Sequence, residues 1–221
     1  MILLYSQGGE KQAAAINAEP DRYGSILTPA SSRAYLSDCA GVIGVDNGAY
    51  AGFDERRFWN LLDFAEGYRA LIKFVAAPDV VAGAGATLEL FGKWNTIILD
   101  YDLPVALVLQ DGMISESIPW PEIDAVFVGG SDEYKQSHAV DRIIIEAKRR
   151  NKWVHAGRVS TKKRIRHFYL ADVDSIDSTA FSRWPRHIGN LTRWVEQWNM
   201  QRLLQQVLFE EEECQLQGEA T

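Results

Sequence analysis

Asp46, Asp79, Gln110 and Asp177 each fall at or just after the end of a short apolar run, in four separate parts of the chain. A carboxylate can take up or release a proton, stabilise a developing positive charge, or bond covalently to an electrophilic carbon. The stretch VDSIDSTAFSR, residues 173–183, is the sharpest case. It begins like a buried strand, yet it carries Asp174 and Asp177 among Ser175, Ser178 and Thr179, with Arg183 beyond. A buried carboxylate is costly unless it is paired or hydrogen-bonded. Asp177 therefore reads as a residue kept for chemistry, with a pair to Arg183 as the structural alternative.

Positioning such residues requires a scaffold, and the chain has a regular rhythm. Short, often β-branched runs alternate with longer amphipathic stretches. The runs are ILLYS (2–6), SILTP (25–29), VIGVD (42–46), KFVAA (73–77), VALVL (105–109), AVFVG (125–129), WVHAG (153–157) and DSIDS (174–178). Helices are expected at 53–71, 84–98, 132–150 and 161–170, with a long C-terminal helix over 188–210 and an acidic, disordered tail over 211–221. This pattern predicts an α/β fold, a small (β/α)8 TIM-like barrel in one domain over 1–221, with abbreviated connections. SIPWPEI (117–123) leaves too little room for a full helix. A doubly wound open sheet is the competitor, but SQGGEKQ lacks the GxGxxG turn expected after its first strand.

Barrel enzymes build their sites at the carboxyl ends of the strands. Asp46 ends the third run and precedes NGAY; Asp79 follows the fourth; Gln110 and Asp111 follow the fifth. Gly129, Gly130 and Ser131 end the sixth run, His155 and Gly157 the seventh, and Asp177 the eighth. One rim thus collects the polar groups. Each has a structural alternative: a turn residue for Asp46, a helix N-cap for Asp79, a plain loop for Gln110–Gly112, a satisfied core histidine for His155.

The chain has 221 residues, a net charge of −7 and 47% hydrophobic content, enough for one full core. The charge is uneven. From Lys148 to Arg193 twelve Lys/Arg face three Asp, a local excess of nine positive charges, whereas 210–213 is EEEE. The basic part can grip phosphates or form a solvated helix face. Cys39 and Cys214 stand in unrelated contexts, with neither metal-ligand spacing nor a disulfide framework, so a reducing cytoplasm is expected. The opening MILLYSQGG reads as a first strand, and no apolar run approaches the ~20 residues of a membrane span.

Several segments, in order over residues 26–186, give a resemblance to a known family. VDNGAY (45–50), AAPDVV (76–81), VLQDG (108–112), FVGGS (127–131) and the stretch 153–183 resemble motifs of the tRNA-guanine transglycosylases. The chain looks most like the branch acting on DNA, the DpdA (deoxypurine in DNA) proteins of phages and genomic islands. That branch would place the protein in a bacterial or phage-infected cytoplasm. The tRNA enzymes carry a zinc site of three cysteines and a histidine after the nucleophile strand. This chain has only Cys214 in that region, so neither metal nor cofactor is expected.

The resemblance implies exchange of guanine in DNA for a 7-deazaguanine such as 7-cyano-7-deazaguanine. It assigns Asp177 as nucleophile, forming a glycosyl-enzyme intermediate as in retaining glycosidases, and Asp46 as the group that gives and takes the base proton. Tyr50 would stack on the base. Asp79 would accept the guanine N–H and amino groups, and Gln110 with the Gly129–Gly130 turn would bind its 6-oxygen. His155 is a further binding candidate. Arg158, Lys162, Lys163, Arg164 and Arg166 would hold the phosphates flanking a flipped nucleotide, and Arg183 would pair with Asp177 or a phosphate. Two alternatives stand beside this. One is a base exchanger or glycosidase acting on RNA or free nucleosides. The other is a catalytically silent nucleic-acid-binding barrel that assists a larger transglycosylase as its protein partner.

Overall fold

The computed structural model describes residues 1–5, 9–33, 36, 40–178 and 189–201. Eight parallel strands close into a barrel in chain order: β1 (Ile2–Tyr5), β2 (Tyr23–Leu27), β3 (Ile43–Val45), β4 (Ile72–Ala76), β5 (Val105–Leu109), β6 (Ala125–Val128), β7 (Trp153–Ala156) and β8 (Ser175–Asp177). Closure comes from β1 against β8, with Leu3 opposite Ile176 and Leu4 opposite Asp177. The expected (β/α)8 barrel is therefore the fold.

The strands pack both ways. Leu4, Ile26, Phe74, Ala76, Ala106, Val108, Ala125 and Phe127 form one buried cluster that fills the barrel. Gly44 makes this possible, since a Cβ there would meet the Phe74 ring at 2.4 Å. The outer face is covered by helices, two of which, over residues 55–66 and 138–149, bury residues at i, i+3, i+4 and i+7 spacing. The helices are α1 (Glu10–Ala18), α2 (Glu55–Glu66), α3 (Ala84–Asp100), α4 (Asp132–Lys135), α5 (His138–Arg149) and α6 (Lys162–Leu170). On α5, Val140, Ile143, Ile144 and Ala147 are buried. Full burial of each valine or isoleucine contributes roughly 1.5–3 kcal/mol.

Four helix starts follow from local chemistry. Asp54, Ser131, Ser137 and Thr161 each accept a backbone N–H from three residues on, capping α2, α4, α5 and α6. Ser137 also corrects the expectation of one helix over 132–150. Its side chain competes for the Val140 N–H, so the chain breaks at Gln136–Ser137 and restarts as α5. The helix expected over 53–71 is shorter, ending at Gly67. Between β5 and β6 the connection is two 3-10 turns, Ser115–Ser117 and Trp120–Glu122. Helix α1 has no counterpart among the expected helices; Ile16 is its one buried residue, so its apolar pattern is faint.

Two further aspartates explain how the strands are bolted at their amino ends. Asp174 accepts from the Val154 N–H at 2.7 Å and from Lys148 Nζ at 2.6 Å. Its backbone receives the Ile2 N–H at 2.7 Å. One residue thus ties β1, β7, β8 and α5 together. Asp124 does similar work ahead of β6, accepting the Val105 N–H at 3.0 Å.

The chain divides into a barrel unit, Met1–Ser182, and a second unit, Arg183–Thr221. In the second unit residues 189–201 are helical, inside the helix expected over 188–210. Arg183, Cys39, Cys214 and the tail 211–221 lie outside the described residues. Among the described residues no helix is long and apolar enough to cross a membrane.

Candidate active site

The carboxyl ends of β3 to β7 surround a pocket lined by Asp46, Asp79, Gln110, Gly129, Gly130 and Tyr50, together with Lys135 and Arg158. The floor is apolar, with Ala76, Val108 and Phe127 from the barrel cluster beneath it. Residues drawn from six separate segments of the sequence therefore meet in one place.

Asp46 leaves β3 in a tight turn. Its Oδ1 accepts the Gly48 N–H at 2.8 Å, and Gly48 takes the left-handed conformation, φ 77°. Burial pushes the Asp46 carboxyl up from its ordinary 3.8 to about 6. The Gly48 N–H opposes this; the charges of Asp177 and Asp79 add to it, and Arg158 opposes it. The three carboxylates are close enough to feel one another.

Asp79 is held from both sides. Asn47 Nδ2 donates to its Oδ1 at 2.8 Å and Gln110 Nε2 to its Oδ2 at 2.6 Å. Asn47 also donates to the Ala77 carbonyl at 2.7 Å, and the Ala82 N–H donates to Gln110 Oε1 at 2.8 Å. The carboxylate is thus fixed in orientation, and each oxygen keeps a second acceptor direction. Burial raises its pKa against the two amide donors. Gln110 is fixed as well, with one amide hydrogen committed to Asp79 and the other uncommitted.

Next to Gln110, Gly129 and Gly130 carry the backbone past the pocket wall. A Cβ on Gly129 would stand 2.8 Å from the Leu109 carbonyl. Gly130 has φ 78°, and Asp111 latches the following turn by accepting from the Ser131 N–H at 2.8 Å and from the Ser131 hydroxyl. Asp111 is therefore a support for the Gly130 turn.

Asp177 lies deeper, 7% exposed, behind Gly157; a Cβ on Gly157 would be 3.5 Å from its Oδ1. Two donors converge on that oxygen, His155 Nε2 at 3.1 Å and the Arg158 N–H at 3.0 Å. His155 is fully buried between Phe74 and Phe127, with ring centroids 4.8 and 4.7 Å away. Behind it runs a chain of donors. Trp153 Nε1 donates to Ser175 Oγ at 3.0 Å, and Ser175 meets His155 Nδ1 at 2.9 Å. A serine hydroxyl that already accepts from an indole donates onward to Nδ1. This assigns the Nε2–H tautomer, which points its proton at Asp177. His155 is thus a positioning residue for Asp177, out of reach of a ligand in the pocket.

Arg158, the first residue of the basic stretch, stands at the pocket itself. It adopts φ 59°, which turns its N–H onto Asp177, and its guanidinium lies over the Tyr50 ring, 3.5 Å from the centroid. Tyr50 is 69% exposed, so its ring forms the outer lip of the pocket. Arg164 is ion-paired with Asp132 across to α4. Lys162, Lys163 and Arg166 are exposed on α6. The basic stretch is therefore split between the pocket, an internal pair and the surface.

Two further residues shape the pocket without a signal in the local sequence. Asn47 sits inside VDNGAY, but its bond to Asp79 spans segments that no local spacing links. Lys135 lies in what reads as an amphipathic helix, where lysine signals solvent. It is instead 5% exposed, with Nζ donating to the Gly157 carbonyl at 2.8 Å. Burial pushes its pKa below the ordinary lysine value, and the Asp177 charge opposes that.

Among the described residues no group of three or more His, Cys, Asp or Glu is arranged to hold a metal ion. No family model and no curated protein matches the chain.

Proposed function

We propose that this barrel is a guanine transglycosylase acting on DNA, exchanging guanine for a 7-deazaguanine base through an aspartyl-glycosyl intermediate. The observation that carries the reading is the grouping of three carboxylates with separate environments, two lining one pocket and the third directly behind its Gly157 wall. Asp46 is pushed up to about 6, Asp79 is clamped by two amides, and Asp177 is oriented by His155 and Arg158. The resemblance of VDNGAY, AAPDVV, VLQDG, FVGGS and 153–183 to the transglycosylases supports the same assignment.

A nucleotide is flipped so that its base enters the pocket. The base N1–H and amino group meet the open acceptor directions of Asp79, and its 6-oxygen accepts from the second Gln110 Nε2–H and the Gly130 N–H. Asp177 attacks the anomeric carbon as the bond to N9 breaks, and protonated Asp46 delivers its proton to the leaving base. Guanine departs neutral. The incoming base gives a proton to the Asp46 carboxylate, its N9 attacks the anomeric carbon, and Asp177 is released. Matched buried polar groups reject bases that would leave them unpaired.

The test is incubation with guanine-containing DNA and radiolabelled guanine. The expected result is label in DNA and a protein–DNA adduct that survives denaturing electrophoresis. Asp177→Asn, which keeps the side-chain shape, is expected to give neither while the circular dichroism of the barrel is retained. Exchange at the wild-type rate in Asp177→Asn removes Asp177 as nucleophile. Label appearing in RNA or nucleosides but not in DNA moves the substrate to those classes.

A further inference from the structure

We propose that Lys135 reads the five-membered-ring edge of the base and selects which group the incoming base carries at position 7. The inference rests on the guanine-exchange reading and deepens it.

Going round the rim, the strands run β4, β5, β6, β7, β8. Their carboxyl ends carry Asp79, then Gln110, then Gly129–Gly130, then the Gly157 wall, with Asp177 next in order behind that wall. Going round guanine, the groups run 2-amino and N1, then the 6-oxygen, then position 7, then position 8, then N9. Placing N1 against Asp79 and N9 toward Asp177 leaves the 6-oxygen to Gln110 and Gly130. Position 7 then faces the wall between β6 and β7, where Lys135 Nζ donates to the Gly157 carbonyl and lines the pocket.

An ammonium has three donors, and one goes to Gly157. The remaining N–H groups and the charge are available toward position 7. N7 of guanine is an acceptor there. So is the nitrogen of a linear nitrile, or the oxygen of a carboxamide, on a 7-deazaguanine. An aminomethyl group, cationic at neutral pH, would face a like charge with little water between. Lys135 thus favours acceptor substituents at position 7 and excludes cationic ones. The carboxylates do not cancel this: Asp177, whose charge acts most on Lys135, is held as the glycosyl ester when the incoming base binds, and Asp79 and Asp46 are reached from other edges of the ring.

The test is competition in a single reaction. Guanine-containing DNA and wild-type protein receive equal 7-cyano- and 7-aminomethyl-7-deazaguanine, and the nucleosides formed are counted by mass spectrometry. The ratio cancels any loss of overall rate. The wild type is expected to favour the cyano base by at least roughly 100-fold. Lys135→Met is expected to reduce the ratio toward unity, and Lys135→Glu to invert it. A wild type that takes both bases equally, or prefers the aminomethyl base, overturns the proposal without recourse to a variant. So does a ratio unchanged in Lys135→Met. Guanine exchange, read from radiolabelled guanine added to the same mixture, separates the two levels. Its absence in the wild type refutes the transglycosylase reading itself, whereas its presence with an unselective ratio refutes only the role of Lys135.

Discussion

At pH 7 an Asp46 carboxyl pushed up to about 6 is mostly ionised, yet a useful fraction still carries a proton. A single group can therefore serve both half-reactions. In the proposed exchange, release of guanine needs the protonated form, so single-turnover adduct formation is expected to slow as pH rises above about 6. Capture of the new base needs the carboxylate, so adduct breakdown is expected to slow below about 6. Rapid-quench assays of the two steps read these limbs separately. The same shift bears on stability. A carboxyl raised from 3.8 binds more protons folded than unfolded, so stability falls as pH climbs through the window between 3.8 and about 6. The cost at neutral pH is about 3 kcal/mol. Asp46→Asn keeps the acceptor for the Gly48 N–H and removes the charge. It is expected to melt several degrees higher than wild type at pH 7.5, with the difference vanishing near pH 4. Asp79→Asn has the opposite sign. Its new NH₂ must face the donor of Asn47 or of Gln110, at a cost of about 1–3 kcal/mol. Both guanine binding, by calorimetry, and the melting point are expected to fall.

The elements separate two carboxylates that look alike in VDSIDSTAFSR. Asp174 and Asp177 stand three positions apart, but β8 places Asp174 at the amino end of the barrel and Asp177 at the carboxyl end. Asp174 is a bolt between β7 and α5, with both oxygens engaged. Asp174→Ala leaves the Val154 N–H and the Lys148 ammonium without their partner, so chemical denaturation is expected to register a loss of about 2–3 kcal/mol. Lys148→Ala in the same background is expected to add little further. This contrast also marks what the sequence reveals. Strand ends were readable, because apolar runs stop where polar residues begin, and that placed Asp46, Asp79, Gln110 and Asp177 on one rim. Direction within a strand end was not. Register decides whether a carboxylate is structural or faces a ligand, and register depends on pairing with β1 and β7. The break at Gln136–Ser137 was hidden for a related reason. The apolar spacing of 132–150 continues through it, while the Ser137 cap interrupts the backbone. Lys135, just before that break, inherited the look of a solvent-facing residue.

Across the whole molecule, charge is sorted by use. Much of the basic excess around α6 and α5 is already engaged, Arg164 with Asp132, Lys148 with Asp174, and Arg149 and Arg150 with Glu146. On the proposed reading, the long-range field that DNA would meet near the pocket therefore rests on few side chains. Lys163 and Arg166 are both exposed on α6, which follows the β7 end of the rim. Replacing both with Ala is expected to lower the slope of log binding constant against log salt by about 2, one released counterion for each charge. Arg164→Ala is expected to change the slope less, because its charge is spent on Asp132. Fluorescence anisotropy over a salt series distinguishes the two. The closure of β1 on β8 has a consequence of another kind. Asp177 is the last residue of the last strand, and its partner strand is the first. During synthesis the barrel cannot close, and the proposed nucleophile cannot be seated on His155, until nearly the whole barrel unit has left the ribosome. A nascent chain halted before residue 174 would hold the Asp79 clamp but have no nucleophile, and its β1 and β7 edges would be open to other chains. The position of one aspartate thus makes completion of the fold a precondition of the proposed reactivity.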